Sequence, residues 1–246
     1  MAQEYGPETY GDRIAEVYDE WYADAAFLET EASIELLTEL AGDGPVLELA
    51  IGTGRLALPL AERGIEVHGI DASEGMVAKL REKPGGNRII VTMGDFADVG
   101  VDGSYRLIYV AFNTLFALLT QEDQMRCFTN AAAHLADGGV FLIDVFFPDL
   151  SRFDRDQRIQ TNSVSSTEVN LDASRHDPLA QRVDSVHVVL TESGTKLYPV
   201  NLRYAFPSEL DLMARLAGLE LKERWSGWTR EPFTASSRRH VSVYGR

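Results

Sequence analysis

Two kinds of segment alternate along the first 150 residues. In one kind the apolar residues are continuous, and in the other they recur at helical spacing. Five short, continuous apolar runs are typical of strands that are buried on both faces. They occupy residues 45–49, 65–70, 88–92, 106–111 and 140–146. Three further segments have apolar residues at helical spacing. They lie between these strands, at residues 55–63, 73–83 and 122–135. This alternation predicts a doubly wound α/β domain with a mostly parallel sheet.

The pattern differs at the two ends of the chain. Two amphipathic helices are predicted before the first strand, at residues 13–28 and 30–40. After residue 147, three segments rich in Val and Thr alternate partly and are joined by turn sequences, and they occupy residues 163–172, 181–191 and 196–205. They predict a small antiparallel β insert after the fifth strand. A helix at 208–217 and a terminal antiparallel hairpin at 219–225 and 239–244 complete a seven-stranded sheet.

These elements predict one domain over residues 1–246 with four parts. The parts are an N-terminal helical segment at 1–40, a core at 41–150, the β insert at 151–206 and a C-terminal helix and hairpin at 207–246.

Composition narrows the choice of partners. The 246 residues carry a net charge of −15, which argues against a nucleic-acid partner because phosphate binding needs a basic surface. No apolar run approaches the ~20 residues of a membrane helix, and the N-terminus lacks the basic and apolar regions of a signal peptide. A single cysteine, Cys127, fits a reducing compartment. We therefore expect a cytoplasmic protein with no membrane partner.

Residues 45–60, PVLELAIGTGRLALPL, are the part of the chain around which a ligand site is expected. A buried strand runs into Gly52 and Gly54, which lack a Cβ and let both the chain turn and a ligand approach. The next strand ends in Asp71, 71 − 52 = 19 residues after the first glycine. An acid at about this spacing is the usual partner of ribose hydroxyls.

Two further strand ends carry residues suited to a nucleoside. Gly94-Asp95-Phe96 follows the third strand, and Phe112-Asn113-Thr114 follows the fourth. Because the carboxyl ends of parallel strands meet at one edge of a sheet, these residues and the glycine loop are predicted to line one crevice.

At this point the chain resembles the class I S-adenosylmethionine-dependent methyltransferases. The segment from Glu48 to Gly54 is similar to that family's first motif, Asp71 to its ribose-binding acid, and Gly94-Asp95-Phe96 to its adenine-side motif. Residues 135–146, LADGGVFLIDVF, resemble its fifth-strand entry, and YDEWY from Tyr18 to Tyr22 its N-terminal lid. The resemblance implies the Rossmann-like methyltransferase fold.

The resemblance also implies S-adenosyl-L-methionine as cofactor, with S-adenosyl-L-homocysteine as product. Carboxylates would accept the ribose and adenine hydrogen bonds, and the glycine loop would bind the methionine end. The expected cofactor-binding residues are Tyr18, Tyr22, Glu48, Ala50, Gly52, Thr53, Gly54, Asp71, Ala72, Met76, Gly94, Asp95, Phe96, Ala111, Phe112 and Asn113.

The acceptor is expected to be a small molecule of natural-product type, methylated at nitrogen or oxygen. Aromatic residues near the strand ends predict a rim for a flat or apolar acceptor, and Arg203, Arg230, Arg238 and Arg239 are candidates to pair with an anionic group. The expected substrate-binding residues are Trp21, Phe116, Phe146, Phe147, Arg203, Trp225 and Trp228. His240, at the start of the last strand, is the candidate general base, and we expect no metal.

Three alternatives stay open from the sequence. Gly52-Thr-Gly54-Arg-Leu-Ala57 with Asp71 also fits a nicotinamide-dependent oxidoreductase, although no hydride-transfer pair is evident. A protein that binds S-adenosylmethionine without catalysis is the second. A nucleic-acid base methyltransferase is disfavoured by the charge and by the segment after the fourth strand. The chain is expected to act as a monomer or a homodimer.

Overall fold

The computed structural model describes residues 5–22, 28–98 and 100–246, which form two β-sheets and six α-helices. The larger sheet contains seven strands in the order β10-β11-β5-β4-β1-β2-β3. These strands are β1 Val46–Leu49, β2 Val67–Asp71, β3 Ile90–Met93, β4 Tyr105–Val110, β5 Leu135–Phe146, β10 Glu220–Trp225 and β11 Arg239–Gly245. The helices are α1 Thr9–Tyr22, α2 Thr30–Ala41, α3 Ala57–Glu62, α4 Glu74–Glu82, α5 Gln121–Ala133 and α6 Pro207–Leu216.

The strand directions confirm the predicted doubly wound fold. The pairs β3–β2, β2–β1, β1–β4 and β4–β5 are all parallel. The last strand, β11, runs antiparallel to both β5 and β10. Strand β1 is buried along its whole length, and β2 and β4 are buried at all but one position each, because helices cover both faces of a parallel sheet. The carboxyl ends of β1, β2, β3 and β4 therefore lie at one edge.

The insert after β5 forms a second sheet of four antiparallel strands, where three were predicted. These strands are β6 Gln157–Val164, β7 Glu168–Asp177, β8 Arg182–Thr191 and β9 Gly194–Arg203. The predicted strand at 163–172 was wrong because it spans the turn between β6 and β7, where Ser165 N–H donates to Glu168 O at 2.8 Å. The side chains of β6 are almost all exposed, so the sequence has no alternation that would reveal this strand.

Helix α1 begins at Thr9 and is described as far as Tyr22, whereas residues 13–28 were predicted. Its N-terminal half packs on the start of α4, where Gly11 lies against Ser73. A Cβ atom at Gly11 would come within 2.5 Å of Ser73 Cβ, so only glycine fits this contact. Ser73 Oγ donates to Asp12 Oδ1 at 2.5 Å across the same contact. Helix α1 is thereby fixed to the parallel sheet, close to the end of β2.

None of the helices in the described ranges has both the length and the apolar character needed to cross a membrane.

Candidate functional site

A cavity of about 540 Å³ lies between the carboxyl edge of the parallel sheet and the β6–β9 sheet. One wall consists of residues from the ends of β1, β2, β3 and β4. The second wall is one face of the β6–β9 sheet. Helix α1 and Tyr5 cover the space between the two walls. The volume lies within the range of small-molecule sites in proteins.

Asp71 joins the glycine loop to the end of β2. Its Oδ2 atom accepts a hydrogen bond from Gly52 N–H at 2.7 Å, and its Oδ1 atom accepts one from Ser73 N–H at 2.8 Å. Burial raises the pKa of Asp71, although these N–H donors act in the opposite direction. Each carboxylate oxygen keeps a second lone pair for a ligand hydroxyl. Gly52 has φ +56°, a left-handed conformation that favours glycine.

Glu48 and Arg55 lie at the base of the loop, and both line the cavity. Burial raises the pKa of Glu48 to about 8, with Tyr109 and Arg55 acting in the opposite direction. Within the described residues, Glu48 Oε2 and Arg55 Nε are buried without a hydrogen-bond partner. Buried polar atoms normally have partners, so these two atoms point to a polar ligand at this place.

The loop after β4 has a strained backbone held by the neighbouring strand. Phe112 and Asn113 have φ of +58° and +65°. Asp144 Oδ2 accepts from Phe112 N–H at 3.0 Å, and Asn113 Oδ1 accepts from Phe146 N–H at 2.6 Å. Non-glycine residues in this region cluster at functional sites. The hydrogen bonds fix the loop so that Phe112 and Asn113 both line the cavity.

Tyrosines from the N-terminal segment cover the cavity. Tyr18 and Tyr22 have ring centroids 4.8 Å apart, and Tyr22 lies 5.1 Å from the ring of Phe112. Burial raises the pKa of Tyr18 to about 12, and burial also raises that of Tyr22. Both hydroxyls are therefore neutral near pH 7. Tyr5 and Tyr10 line the cavity beside them.

Contacts of Asp19 connect α1 to the glycine loop, and this set of contacts is called the Asp19 latch. Asp19 Oδ1 accepts from Thr53 Oγ1 at 2.7 Å, and Asp19 Oδ2 pairs with Lys83 Nζ at 2.7 Å. Lys83 Nζ also donates to the carbonyl of Thr53 at 2.8 Å. The contacts hold the tyrosine-bearing helix closed over the loop.

Fourteen of the sixteen predicted cofactor-binding residues line this one cavity. They are Tyr18, Tyr22, Glu48, Ala50, Gly52, Thr53, Asp71, Ala72, Met76, Asp95, Phe96, Ala111, Phe112 and Asn113. Gly54 and Gly94 do not line it. A Cβ atom at Gly54 would lie 2.4 Å from Leu80 Cδ1, so this glycine serves the packing of the loop on α4.

The seven predicted substrate-binding residues are not among those that line the cavity. Phe116 is fully buried, and its ring contacts that of Phe146 edge-to-face at 5.0 Å. Phe147 packs between Phe206 and Phe233, 6.0 Å from each ring. Trp21 packs edge-on against Tyr198 of β9 at 4.9 Å. These rings fill the space between elements instead of forming a rim.

The predicted tryptophans and arginines are likewise used in packing and ion pairs. Trp225 and Trp228 are buried, and the guanidinium of Arg230 lies 5.1 Å from the Trp225 ring. Arg203 is buried and pairs with Glu209 at 2.7 Å. The other three candidate arginines also have acidic partners, namely Glu39 for Arg230, Asp149 for Arg238 and Glu29 for Arg239.

The structure does not bring His240 to the cavity. Its strand begins at the predicted edge, but the side chain is fully buried 5.5 Å from the Phe233 ring, and Nδ1 contacts Ser242 Oγ at 2.8 Å. Burial lowers the pKa of His240 to about 3, with Arg224 acting in the same direction. The imidazole is therefore neutral. Strand β11 is paired on both sides, so its side chains enter the layers above and below the sheet.

Several cavity residues were not predicted. Arg55 was assigned to the start of a helix, but α3 begins at Ala57 and Arg55 lies in the preceding turn. The β6–β9 sheet supplies Arg158, Asp172, Ser174, Ser185, His187, Val200, Asn201 and Leu202. The sequence does contain a pattern that indicates this polar face. Asp172 and Ser174 on β7, and Ser185 and His187 on β8, are each two residues apart and so share a face. Which of these residues lie opposite one another depends on how the strands pair.

The cavity residues fit the predicted methyl donor. Asp71 and Asp95 offer acceptors at two strand ends, and Phe96 and Met76 offer apolar surface to a base. Glu48 Oε2 could accept from an ammonium group, and Arg55 could donate to a carboxylate. No cluster of three or more potential metal-ligating side chains was found in residues 5–22, 28–98 and 100–246.

Comparison with known proteins gives a consistent result. Residues 46–139 match the protein family described as "Methyltransferase domain". The CcbJ methyltransferase from Streptomyces caelestis is 45% identical in sequence, and its structure superposes with a TM-score of 0.91 over 98% of each chain. The cypemycin N-terminal methyltransferase of Streptomyces sp is 29% identical over 202 residues, or 82% of each protein.

The fold is shared more widely. The S-adenosylmethionine-bound CalS10, an amino pentose methyltransferase from Micromonospora echinaspora, superposes with a TM-score of 0.69 over 99% of each chain at 18% identity. At this identity the likeness concerns the fold alone.

Proposed function

The chain belongs to the S-adenosylmethionine-dependent methyltransferases, and we propose that it transfers the methyl group to a nitrogen atom of a small-molecule amine. It is an enzyme of natural-product type. The nicotinamide-dependent alternative has no support from these comparisons. The identity of the acceptor atom rests on the argument below.

The observation that carries the proposal is that one cavity has two walls of different chemistry. The wall at the strand ends has the residues expected for the methyl donor, including Asp71, Asp95 and the glycine loop. The opposite wall, on the β6–β9 sheet, has Asp172, His187 and two serines. A donor and a small acceptor bound against these two walls would share one enclosed volume of about 540 Å³.

We assign the residues of the first wall to parts of the donor. Asp71 accepts from the ribose hydroxyls, and Asp95 from the adenine amine, with Phe96 and Met76 against the ring. Glu48 accepts from the ammonium group of the methionine end, and Arg55 pairs with its carboxylate. When bound, S-adenosylmethionine supplies a methyl group on a positively charged sulfur. The chain's own contribution is to hold the two reactants in line and to exclude water.

The tyrosine-bearing helix provides the water exclusion. Tyr18 and Tyr22 stand between the two walls, and the Asp19 latch holds their helix on the glycine loop. Their neutral hydroxyls can donate hydrogen bonds without adding charge near the methyl group. A dry site strengthens each electrostatic contact with the sulfonium.

A nitrogen acceptor is favoured by charge and by one relative. The second wall presents the Asp172 carboxylate, and the whole chain has a net charge of −15. Arg152 and Arg158 also line this cavity, so it is the net charge of the whole chain that attracts a cationic amine and repels a polyphosphate. The cypemycin N-terminal methyltransferase, by its name, acts on an N-terminus. We therefore propose a small amine as acceptor, with no nucleic acid as substrate.

The test is a methylation assay with tritiated S-adenosylmethionine and a panel of small acceptors. The panel contains benzylamine, piperidine and glucosamine as amines, and catechol and 4-nitrophenol as hydroxyl compounds. We expect labelled product from at least one amine, with S-adenosylhomocysteine formed in equal amount. Product from the hydroxyl compounds alone would contradict nitrogen as the acceptor, and so would an active enzyme that ignores amines.

A further inference from the structure

The inference concerns a pair of residues on the second wall and rests on the proposed function of the same cavity. Strands β7 and β8 are paired so that Asp172 lies directly opposite His187, and Ser174 directly opposite Ser185. All four residues line the cavity. Residues two apart on a strand share a face, so this face of the sheet presents a continuous polar surface toward the methyl donor's wall.

Asp172 sets the orientation of the His187 ring. Oδ1 of Asp172 and Nδ1 of His187 form a hydrogen bond. An ionised carboxylate can only accept, so the Nδ1 atom carries the hydrogen. The edge of Trp21 contacts the same ring at 6.4 Å. The Nε2 atom of His187 therefore keeps a lone pair that can accept a proton. The side chains of Asp172 and His187 are each 29% exposed.

The pair lies close to the tyrosines that separate the two walls. The ring of Tyr22 stands between Tyr18 and Phe112, at 4.8 and 5.1 Å, and Asp172 is near enough to raise the pKa of Tyr22, after the larger effect of burial. Tyr18 in turn interacts with Arg55 and Glu48 on the first wall. An acceptor placed against Tyr22 can therefore reach both the methyl donor and the pair.

His187 is the one histidine among the described residues that line the cavity. Glu48 is on the first wall, and the tyrosine hydroxyls stay protonated at neutral pH, so they cannot take a proton. A buried amine acceptor arrives as an ammonium ion and has no lone pair until it loses a proton. The second wall, which faces the acceptor in this proposal, therefore needs a base.

We propose that His187 is the general base of the reaction and that Asp172 is its positioning residue. His187 Nε2 takes one proton from the acceptor ammonium, and the freed nitrogen lone pair forms a bond to the methyl carbon. The carbon–sulfur bond breaks, and its electron pair stays on sulfur. The products are S-adenosylhomocysteine, the methylated ammonium and a protonated His187, which releases its proton to water.

Two arginines and a tyrosine from neighbouring elements face the pair. Arg158 lies on β6, Arg152 precedes β6, and Tyr22 faces the pair from α1. Burial raises the pKa of Asp172, but the hydrogen bond from His187 and the charge of Arg158 outweigh it and leave that pKa lowered. The Asp172 carboxylate is thus ionised across the range in which an imidazole titrates.

The experiment measures kcat and KM against pH for the wild type, His187→Gln and Asp172→Asn, with the best acceptor of the panel above. General bases contribute about 10²- to 10⁴-fold, so His187→Gln should lower kcat at least about 100-fold with little change in KM. It should also remove the acid limb of the rate profile, and added imidazole should restore part of the rate. Asp172→Asn should lower kcat less and move the acid limb to lower pH.

His68→Gln is the matched control. His68 lies on β2, where its ring nitrogens contact Tyr105 and Glu66, and it does not line the cavity. This variant should keep the wild-type profile. A His187→Gln variant with wild-type kcat and an unchanged acid limb would overturn the proposal.

The two proposals fail in different ways. Methylation of hydroxyl compounds alone would refute the nitrogen acceptor, and the same His187→Gln profile on that hydroxyl acceptor would still test the base. If no panel member is methylated, histidine nuclear magnetic resonance of the S-adenosylhomocysteine complex tests the pair directly. The base requires that the neutral His187 ring carry its hydrogen on Nδ1, with Nε2 available to take a proton. A ring that carries its hydrogen on Nε2 overturns the assignment.

Discussion

The Oδ2 atom of Asp71 accepts a hydrogen bond from the backbone N–H of Gly52 at 2.7 Å, across 19 residues of sequence. The contact joins the end of β2 to the glycine loop after β1. The acid therefore both shapes the loop and faces the cavity, and one substitution changes both properties.

Asp71→Ala should weaken the binding of S-adenosylhomocysteine by at least ~1.5 kcal/mol, because a charge-assisted hydrogen bond to the ribose is lost. Calorimetric titration measures the change. Glu62, exposed at the end of α3, provides the control Glu62→Ala, which should bind normally. Unchanged affinity in a folded Asp71→Ala protein would refute the ribose assignment.

Arg55→Gln should weaken the binding of S-adenosylhomocysteine about 10-fold or more, since a hydrogen bond between charged groups contributes about 1.5–3 kcal/mol. The binding of 5′-methylthioadenosine, which lacks the amino-acid end, should hardly change. The same calorimetric titration with the two ligands separates the effects. Equal losses for both would mean that Arg55 supports the loop and does not bind the carboxylate.

Glu48→Gln should change how stability depends on pH. The folded-state pKa of Glu48 is raised to about 8 by burial, from an ordinary value of 4.5, so its contribution is complete below pH 4.5 and is lost as the pH rises through 8. Between pH 6 and 9 the wild type should lose on the order of 2 to 3 kcal/mol relative to Glu48→Gln.

Urea unfolding of both proteins at the two pH values checks this difference, and the other titrating groups cancel in the comparison. A pH dependence that is the same in the wild type and in Glu48→Gln would show that the buried carboxyl ionises at its ordinary pKa.

Gly11→Ala should push α1 away from the start of α4, because the new Cβ atom would lie 2.5 Å from Ser73 Cβ. Overpacking of this kind costs about 1–3 kcal/mol, so the dissociation constant of S-adenosylhomocysteine should rise at least about fivefold. Gly100→Ala is the control, since a Cβ there meets no atom within 4 Å. Wild-type affinity in folded Gly11→Ala would mean that the seating of α1 is irrelevant to binding.

The residues of the first wall, at the ends of the parallel strands, were predictable because the sequence features that place them are local. A strand that ends in a glycine loop, and an acid 19 residues later at the end of the next strand, are properties of short segments. Parallel strands place their carboxyl ends at one edge, so the sequence alone predicts that Asp71, Asp95 and Phe112 lie close together. The exceptions were Gly54, which packs against Leu80, and Gly94; neither of them lines the cavity.

The residues of the second wall, on the β6–β9 sheet, were not predictable by the same reasoning. Phe116, Phe146 and Trp225 lie near the expected edge in sequence, but their side chains fill the layers on either side of the sheet. His187 and Asp172 lie 15 residues apart on strands of the insert, and their pairing depends on a register that the mostly half-buried side chains of β7 and β8 do not encode.

The sequence by itself therefore determined the order of elements, the parallel sheet, the methyl donor and most of the residues placed beside it, because each of these follows from a periodic pattern or a short spacing. Only the tertiary structure decided which face of each strand meets the cavity, how the second sheet closes over it, and that His187 rather than His240 lines it. Those outcomes depend on contacts between residues far apart in the chain, where burial on one side or the other of a sheet is chosen by packing of the whole molecule.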